Sequence, residues 1–320
     1  MLDVFLTCDV ELWCEGWRDI DAKFASAFKR YVYGPTSSGQ FGLPYQLALL
    51  EDHSLSAVFF VEPLFSMRFG SEPLAEVVDL IAEARQEIQL HLHTEWVDEA
   101  RQPPLPFVHE KRQFLRCFSV EEQTELVRVG KGLLEAAGVE FVTAFRAGGF
   151  GFNSDTFKAL TSNGLAFDTS YNAAQFGLES GLLPGIVVVE PMRSQGVVEY
   201  PMTVFNDGTR RLRHVQVTAC SSDEMEGLLW RALEARRRSF VILFHNFELL
   251  NTRMDEPDPI VVGRFRRLCA FLDRNRDSFC SRGFGDLEPS LVAEQPAVLR
   301  SPFWKTGVRA LEQIYRRTYG

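Results

Sequence analysis

"EIQLHLHTEW" (residues 87–96) is a largely apolar run that ends in two histidines and a glutamate. Residues two apart point to the same side of a strand, so His91, His93 and Glu95 would share one side if the strand continued through them. Imidazole and carboxylate groups both bind first-row metals. The pattern therefore favours a metal site at the end of a strand. The alternative is one buried structural histidine and one surface histidine.

Strand-like and helical segments alternate on both sides of this run. The segment 55–65 is a continuous apolar stretch, whereas 73–86 has apolar residues at helical spacing. The segment 119–140 begins with a capping-box pattern at Ser119 and Glu122 and closes on Gly138. This alternation is typical of βα units around a parallel sheet, so the sequence predicts an α/β fold.

Ionisable residues recur where the predicted strands end. In barrel-like α/β folds the carboxyl ends of the strands carry the functional site. This coincidence is the strongest argument from the residues themselves for one site built from distant segments. The residues concerned are Asp9, Glu11, His91, His93, Arg146 and His245.

Asp9 and Glu11 stand two residues apart in "TCDVE". Two like charges on one side of a strand repel each other, so they need a cation or a shared proton. The alternative is that Asp9 caps the following loop and Glu11 faces solvent. This short stretch by itself leaves both interpretations open.

Arg146 and His245 each close a predicted strand. Arg146 precedes Gly148 and Gly149, which permit a sharp turn or a close approach to a ligand. Its guanidinium could bind a carboxylate with two hydrogen bonds, or it could lie on the surface of a turn. His245 follows five apolar residues and is either an acid–base group or a buried structural residue.

The composition limits the possible classes of function. The chain has 320 residues, 46% of them hydrophobic, and a formal net charge of −9. An acidic balance argues against general nucleic-acid binding, which needs a basic surface. No CxxC pair, secretory leader or long apolar span is recognisable, so we expect reduced thiols and a cytoplasmic protein. The cysteines are Cys8, Cys14, Cys117, Cys220, Cys269 and Cys280.

The carboxyl-terminal segment differs from the rest in charge. We expect one domain over residues 1–285 and an extension over 286–320 that contains a basic amphipathic helix. That helix could dock on the domain, or it could contact the inner membrane face through residues 300–320. Its apolar positions are Trp304, Val308, Leu311 and Tyr315, and its basic positions are Arg300, Lys305, Arg309, Arg316 and Arg317.

The order of the motifs over roughly residues 1–285 resembles the polysaccharide deacetylase family, also called NodB-homology or carbohydrate esterase family 4. Among its branches, the sequence looks closest to intracellular ones linked to surface-glycan gene clusters. The resemblance implies an irregular (β/α)7-type barrel. It also implies a metal-dependent hydrolase that removes an N-acetyl group from an amino sugar, so the expected partner is a carbohydrate and not a nucleic acid.

The resemblance implies a metal ligand set. "LTCDVE" looks like the family's first motif, in which Glu11 would bind the metal. "EIQLHLHTEW" looks like the second motif, normally His-x-x-x-His, so His91 would be a ligand. Glu95 stands where the second histidine belongs and His93 lies between, so either could complete the set. The expected cofactor is a divalent metal, zinc first, with nickel, cobalt or iron as alternatives.

The resemblance also implies catalytic roles. Asp9 would be the base that accepts the proton of water, and Arg146, in "FRAGGFG", would brace it. His245, in "ILFHN", would protonate the departing amine. Asp168, in "FDTSY", corresponds to a later acidic motif.

Two other functions compete with this one. The altered second motif and the absent Pro-Tyr of the third motif favour an inactive domain that binds a glycan or a partner. The pattern of His93 and Glu95 with a distant His245 also matches the two-His-one-carboxylate site of non-haem iron oxygenases. Those enzymes usually have jelly-roll sheets, which the helices predicted here do not suit.

Overall fold

The computed structural model of the protein describes residues 1–106, 111–209 and 211–319. The chain divides into two compact units. The first unit comprises Met1–Ala57, Thr203–Arg282 and Ala297–Gly320, and the second comprises Val58–Met202 and Gly283–Pro296. The predicted boundary at residue 285 stays a prediction.

Strands are distributed along the whole chain. In order they are β1 Leu2–Val10, β2 Pro35–Thr36, β3 Gly39–Gln40, β4 Ala57–Val61, β5 Glu87–Leu92, β6 Ala144–Ala147, β7 Phe167–Asp168, β8 Met192–Ser194, β9 Val197–Glu199, β10 Val204–Asn206, β11 Leu212–His214, β12 Ser239–His245, β13 Phe279–Ser281 and β14 Leu299–Arg300.

Helices connect most of these strands. In order they are α1 Ile20–Phe28, α2 Leu43–Asp52, α3 Ser66–Phe69, α4 Glu72–Glu83, α5 Val120–Ala136, α6 Ser154–Ser162, α7 Ser222–Glu234, α8 Pro259–Arg274 and α9 Phe303–Tyr319. Shorter turns of 3₁₀ helix lie at Thr94–Glu99, Leu115–Cys117, Gly148–Phe150 and Gly177–Glu179, and a π-helical turn lies at Lys29–Tyr33.

In the first unit, β1 is the strand around which the pairing is organised. It pairs in parallel with β12 from Asp3 to Asp9, and its first residues pair in parallel with β13. Nearly every residue of β1 and β12 is buried. Burial on both faces explains why these strands are mostly apolar and show no regular alternation with polar residues.

In the second unit, the strand order is β4, β5, β6, β7, β9 and β8. Every neighbouring pair is parallel except β8 with β9, which is antiparallel. The helical periodicity of 73–86 places Leu74, Val77, Val78, Ile81 and Ala82 on one face of α4. The first four are buried in the core as predicted, whereas Ala82, next to the end of the helix, is exposed. Helix α5 begins with the predicted capping box, since Ser119 accepts from the Glu122 amide and the Glu122 side chain accepts from the Ser119 amide.

The last helix, α9, is held to the first unit by ion pairs. Arg309 donates to Asp207 at 2.7 Å and to Glu224 at 2.8 Å, and all three side chains are buried. Arg316 pairs with Asp258, and Glu312 accepts from Arg264. Two of the basic residues that mark this segment in the sequence therefore neutralise acids of their own unit.

The membrane contact predicted for residues 300–320 stays a prediction. The side chains of Val308, Leu311, Tyr315 and Arg317, which belong to that pattern, lie outside the described residues. Phe303 and Trp304 at the start of α9 are exposed. Over the described ranges, no helix combines the length and apolarity that a membrane crossing requires.

Replacing Arg309 with alanine should lower the free energy of unfolding by about 3 kcal/mol, because the buried Asp207 and Glu224 carboxylates lose their counter-charge. Urea denaturation at pH 7 measures the change. The control is Arg128→Ala, since Arg128 forms a solvent-exposed pair with Glu125 within α5. That variant should lose far less stability than Arg309→Ala, because water screens an exposed ion pair. Equal losses in the two variants would show that the Arg309 pairs are no stronger than surface pairs.

Candidate active site

The ends of β1 and β12 bring three predicted residues together in the first unit. Asp9 lies opposite His245 in the parallel register of the two strands. One side-chain ligand atom from each of Asp9, Glu11 and His245 lies within 4.8 Å of the others. Residues far apart in the sequence therefore form one cluster of two carboxylates and an imidazole. The sequence showed each of them only at or near the end of its own predicted strand.

His245 is oriented by a residue that sequence reasoning missed. Its Nδ1 lies 2.7 Å from Glu248 Oε1, and its Nε2 faces Glu11 Oε1 at 3.8 Å. Burial by itself would lower the pKa of His245, but the charges of Glu248, Glu11 and Asp9 outweigh it and raise the pKa to about 9. The imidazole therefore carries a proton at neutral pH in this arrangement, with Nδ1–H donated to Glu248.

Glu248 is itself held by a chain of polar side chains. Gln216 Nε2 donates to Glu248 Oε1, and Gln216 Oε1 lies 2.9 Å from His214 Nε2. Because the amide oxygen can only accept, His214 carries its proton on Nε2. Burial lowers the pKa of His214, which keeps that ring neutral. The chain fixes Glu248, and through it the ring of His245.

Asn246 clamps the backbone at Glu11. Its Oδ1 accepts from the Glu11 amide at 3.0 Å, and its Nδ2 donates to the Glu11 carbonyl at 3.1 Å and to the Tyr31 carbonyl at 2.8 Å. Asn246 is fully buried and follows His245 directly. The segments that follow the two strand ends are therefore fixed to each other.

In the second unit, the hydrogen bond of His91 fixes its tautomer. His91 is fully buried at the end of β5, and its Nδ1 lies 2.9 Å from the carbonyl oxygen of Arg146, its neighbour in the β5–β6 register. A carbonyl only accepts, so the proton of the neutral ring lies on Nδ1 and the lone pair on Nε2. That arrangement is the usual one for a metal-binding histidine.

His93 and Glu95 contact each other, although not as members of one strand. The strand ends at Leu92, so the expectation that its alternation continues to Glu95 is wrong; Glu95 lies in the first turn of the 3₁₀ helix Thr94–Glu99. Glu95 Oε2 lies 3.3 Å from His93 Nδ1, and both residues are nearly buried. The His91 and His93 rings meet edge to face with their centroids 4.8 Å apart.

Gly148 makes room for the His93 ring. A Cβ atom at this position would lie 2.6 Å from the Leu92 carbonyl oxygen and 2.8 Å from His93 Nδ1. Both contacts are too short for any larger residue, and one of them is with backbone. The first glycine of "FRAGG" therefore supports the histidine site by its lack of a side chain.

Arg146 is fully buried and lies beside a pair of acids. Its Nε and Nη2 donate to the carbonyl and hydroxyl oxygens of Thr169, each at 3.2 Å. Asp168, the last residue of β7, lies opposite Glu199 in register. Burial first, and then the Asp168 carboxylate, raise the pKa of Glu199 well above its usual value. The surface location that was an alternative for Arg146 is excluded.

Glu62 is a further buried acid that sequence reasoning missed. It follows β4 directly and accepts from the Leu64 amide at 2.8 Å and the Phe65 amide at 3.3 Å. Burial raises its pKa to about 8, although these amides and the charge of His93 act in the opposite direction. The sequence signal was the one that identified His91, an ionisable residue at the end of an apolar strand.

The donor groups of these residues fit a divalent metal. A backbone carbonyl engages Nδ1 of His91, and a carboxylate engages Nδ1 of the adjacent His93 ring. Such bonds to the second ring nitrogen orient metal-binding histidines and raise their basicity. Taken by itself within the first unit, Glu11 offers a carboxylate oxygen, which is also a donor that zinc accepts.

Comparison with solved structures identifies the fold. A predicted polysaccharide deacetylase from Mycobacterium smegmatis superimposes with a TM-score of 0.55 at 18% identity, over 92% of this chain and 95% of the other. The chain has the polysaccharide deacetylase fold. A family 4 carbohydrate esterase from Streptomyces lividans gives a TM-score of 0.44 at 12% identity, over 87% and 90% of the two chains. No family model matches the sequence, and no curated protein matches it.

A pseudoenzyme of the same carbohydrate esterase family, from Bacillus anthracis, has a TM-score of 0.42 at 14% identity, over 85% of this chain and 61% of the other. Similarity below a TM-score of 0.5 carries no weight for function. The α/β class and the predicted resemblance are confirmed at the level of the polysaccharide deacetylase fold. This fold disfavours the iron oxygenase alternative, which depended on a jelly roll.

Glu62→Gln should change how stability depends on pH. In the folded wild type, Glu62 keeps its proton up to a pH of about 8. In the unfolded chain the same glutamate has its usual pKa of 4.5 and releases the proton above that pH. The wild-type free energy of unfolding therefore falls as pH rises from 4.5 to 8, and the glutamine variant escapes this loss. The free energy of unfolding of Glu62→Gln minus that of wild type should therefore increase by roughly 2 to 4 kcal/mol between pH 5 and pH 8.

Urea denaturation of the metal-free protein at several pH values measures this difference. Glu83→Gln on the exposed side of α4 is the control and should follow wild type at every pH. Curves for Glu62→Gln that stay parallel to wild type from pH 5 to 8 would mean that Glu62 is ionised in the folded state.

Proposed function

We propose that this protein is a metal-dependent hydrolase of the polysaccharide deacetylase family that removes an N-acetyl group from an amino sugar. The observation that carries the proposal is the cluster of Asp9, Glu11 and His245, whose side-chain ligand atoms lie within 4.8 Å of one another. This cluster combines two carboxylates and one oriented imidazole. Amide hydrolysis needs a base for the water and an acid for the amine.

The proposed metal ligands are His91, His93 and Glu11. The tautomer of His91 and the edge-to-face contact of the two rings support the imidazole pair. Glu11 is assigned by the resemblance of "LTCDVE" to the first family motif. The bound ion, zinc by the preference of such donors, would polarise the acetyl carbonyl and lower the pKa of water.

His93 is the better candidate than Glu95 for the position of the altered second motif. Glu95 Oε2 already contacts His93 Nδ1 at 3.3 Å. A carboxylate on the second ring nitrogen is a common partner of a metal-binding histidine. In this arrangement Glu95 orients His93 and strengthens it as a ligand, and does not bind the ion itself.

The chain's own residues supply the proton transfers. Asp9 accepts a proton from the water molecule as the water oxygen attacks the acetyl carbon. His245 donates a proton to the amide nitrogen as the carbon–nitrogen bond breaks, so the products are acetate and a free amino sugar. Glu248 keeps the His245 ring oriented for this transfer, and Arg146, by the resemblance, braces Asp9.

The first test is metal content by elemental analysis after purification and reconstitution with zinc. Wild type should hold about one equivalent, and Glu11→Ala, His91→Ala and His93→Ala should lose it because each removes a ligand. Glu95→Gln should retain the metal with affinity weakened about tenfold, as expected for an orienting partner. Retention of the metal in His93→Ala together with its loss in Glu95→Gln would make Glu95 the ligand.

Controls separate loss of ligand from loss of fold. His53→Ala removes a histidine that pairs with Asp273 at 2.8 Å, away from the proposed ligands in sequence, and should keep the full metal content. Circular dichroism of every variant checks the fold. A wild-type protein that binds no metal would contradict the proposed function and favour a non-catalytic carbohydrate-binding domain.

Asp9→Asn should keep the metal and lose turnover by at least about a hundredfold, because the amide cannot accept the proton of water. The measurement is acetate release from N-acetylated sugars, presented free, nucleotide-linked and lipid-linked. The control is Asp3→Asn, because Asp3 lies on the same strand at a partly exposed position. This variant should leave the rate of acetate release unchanged. Full activity of Asp9→Asn would remove Asp9 from the role of base.

A further inference from the structure

The loop between β1 and α1 carries an indole into the cluster at the strand end. It runs over residues 11–19 and contains left-handed backbone at Glu15 (φ 52°), Gly16 (φ 89°) and Asp19 (φ 55°). Positive φ at a residue other than glycine is uncommon and persists where the surroundings hold it. The loop therefore adopts one specific backbone conformation, and this conformation sets the position of the Trp13 side chain.

Trp13 distinguishes the two oxygens of the Glu11 carboxylate. Its Nε1–H donates to Oε2 at 2.9 Å, whereas Oε1 faces Nε2 of His245 at 3.8 Å. The Glu11 side chain is about one-tenth exposed, so its carboxylate lies largely out of solvent. Asn246 fixes the Glu11 backbone at both its amide and its carbonyl. Main chain and side chain of Glu11 are thus held by separate partners.

We propose that Trp13 is a positioning residue that reserves Oε1 of Glu11 for the metal. This inference rests on the proposed function, in which Glu11 is a ligand. A hydrogen bond on Oε2 directs the lone pairs of that oxygen toward the indole and opposes binding through both oxygens. The carboxylate then binds through one oxygen, in the orientation that the loop sets.

The consequence is a measurable contribution to metal affinity. Partners that orient metal-binding side chains typically contribute roughly 10- to 100-fold to affinity. Loss of the indole N–H should leave Glu11 in place, because Asn246 still fixes its backbone. It should remove the hydrogen bond that orients Oε2 and so loosen the orientation of the carboxylate. Weaker binding and a higher coordination number would follow.

Trp13→Phe removes the N–H and keeps an aromatic ring. The matched control is Trp17→Phe, since the Trp17 ring packs edge to face against Trp13 with centroids 6.0 Å apart. The full chain is stripped of metal and titrated with Co²⁺ and with Zn²⁺ against a chelating indicator. Trp13→Phe should bind about tenfold more weakly than wild type, and Trp17→Phe should stay within about twofold.

The visible spectrum of bound Co²⁺ gives a second readout that a purely structural role would not move. Four-coordinate Co²⁺ absorbs more strongly than five- or six-coordinate Co²⁺. The d–d bands of Trp13→Phe should therefore lose intensity at saturating metal, and those of Trp17→Phe should match wild type. Trp13→Leu provides the same two measurements should the phenylalanine variant not fold.

The outcomes separate this inference from the proposed function. Weaker metal binding and weaker Co²⁺ d–d bands in Trp13→Phe, with neither change in Trp17→Phe, would support the positioning role. Wild-type affinity and spectrum in that variant would overturn it while leaving Glu11 as a ligand. Metal binding that survives Glu11→Ala unchanged would overturn both, because Glu11 would then not be a ligand.

Discussion

The parallel register of β1 with β12 is the constraint on which the cluster of Asp9, Glu11 and His245 depends. It sets Asp9 beside His245 at the carboxyl ends of two strands that are buried on both faces. Packing fixes this register, because a slip by one residue would exchange the side chains that fit against the two different buried faces. The hydrogen bonds of Asn246 to Glu11 then close the cluster. Core packing thus determines where the chemistry lies.

Burial at the strand ends forces each ionisable group to have a partner, and those partners give the groups distinct properties. Glu248 keeps His245 protonated and oriented, whereas a backbone carbonyl engages Nδ1 of His91 and leaves Nε2 directed away from it. One histidine is thereby suited to donate a proton and the other to bind a metal. Two imidazoles of the same intrinsic chemistry are distinguished only by what contacts their Nδ1 atoms.

Sequence reasoning found the residues whose position relative to a strand is itself a signal. Asp9, His91, Arg146 and His245 follow or end apolar runs, and the structure buries or clusters each of them. It missed Glu248, Gln216 and Trp13, because their importance lies in the atom they contact and not in a motif. Glu62 had the same signal as His91 and was overlooked since no second ionisable residue stood beside it.

The sequence by itself determined the α/β class, the alternation of strands and helices along most of the chain, and the residue types at the strand ends, because periodicity and capping are local properties of the chain. It did not predict the short strands β2, β3 and β8 to β11 one by one. The extent of β5 was less certain, and the strand stops at Leu92, where the backbone turns into a 3₁₀ helix. Only the tertiary structure decided that Glu95 contacts His93, that Gly148 makes room for that ring, and that Trp13 holds one oxygen of Glu11. These relations depend on distances of a few ångströms that side-chain packing sets, and no spacing along the chain encodes them.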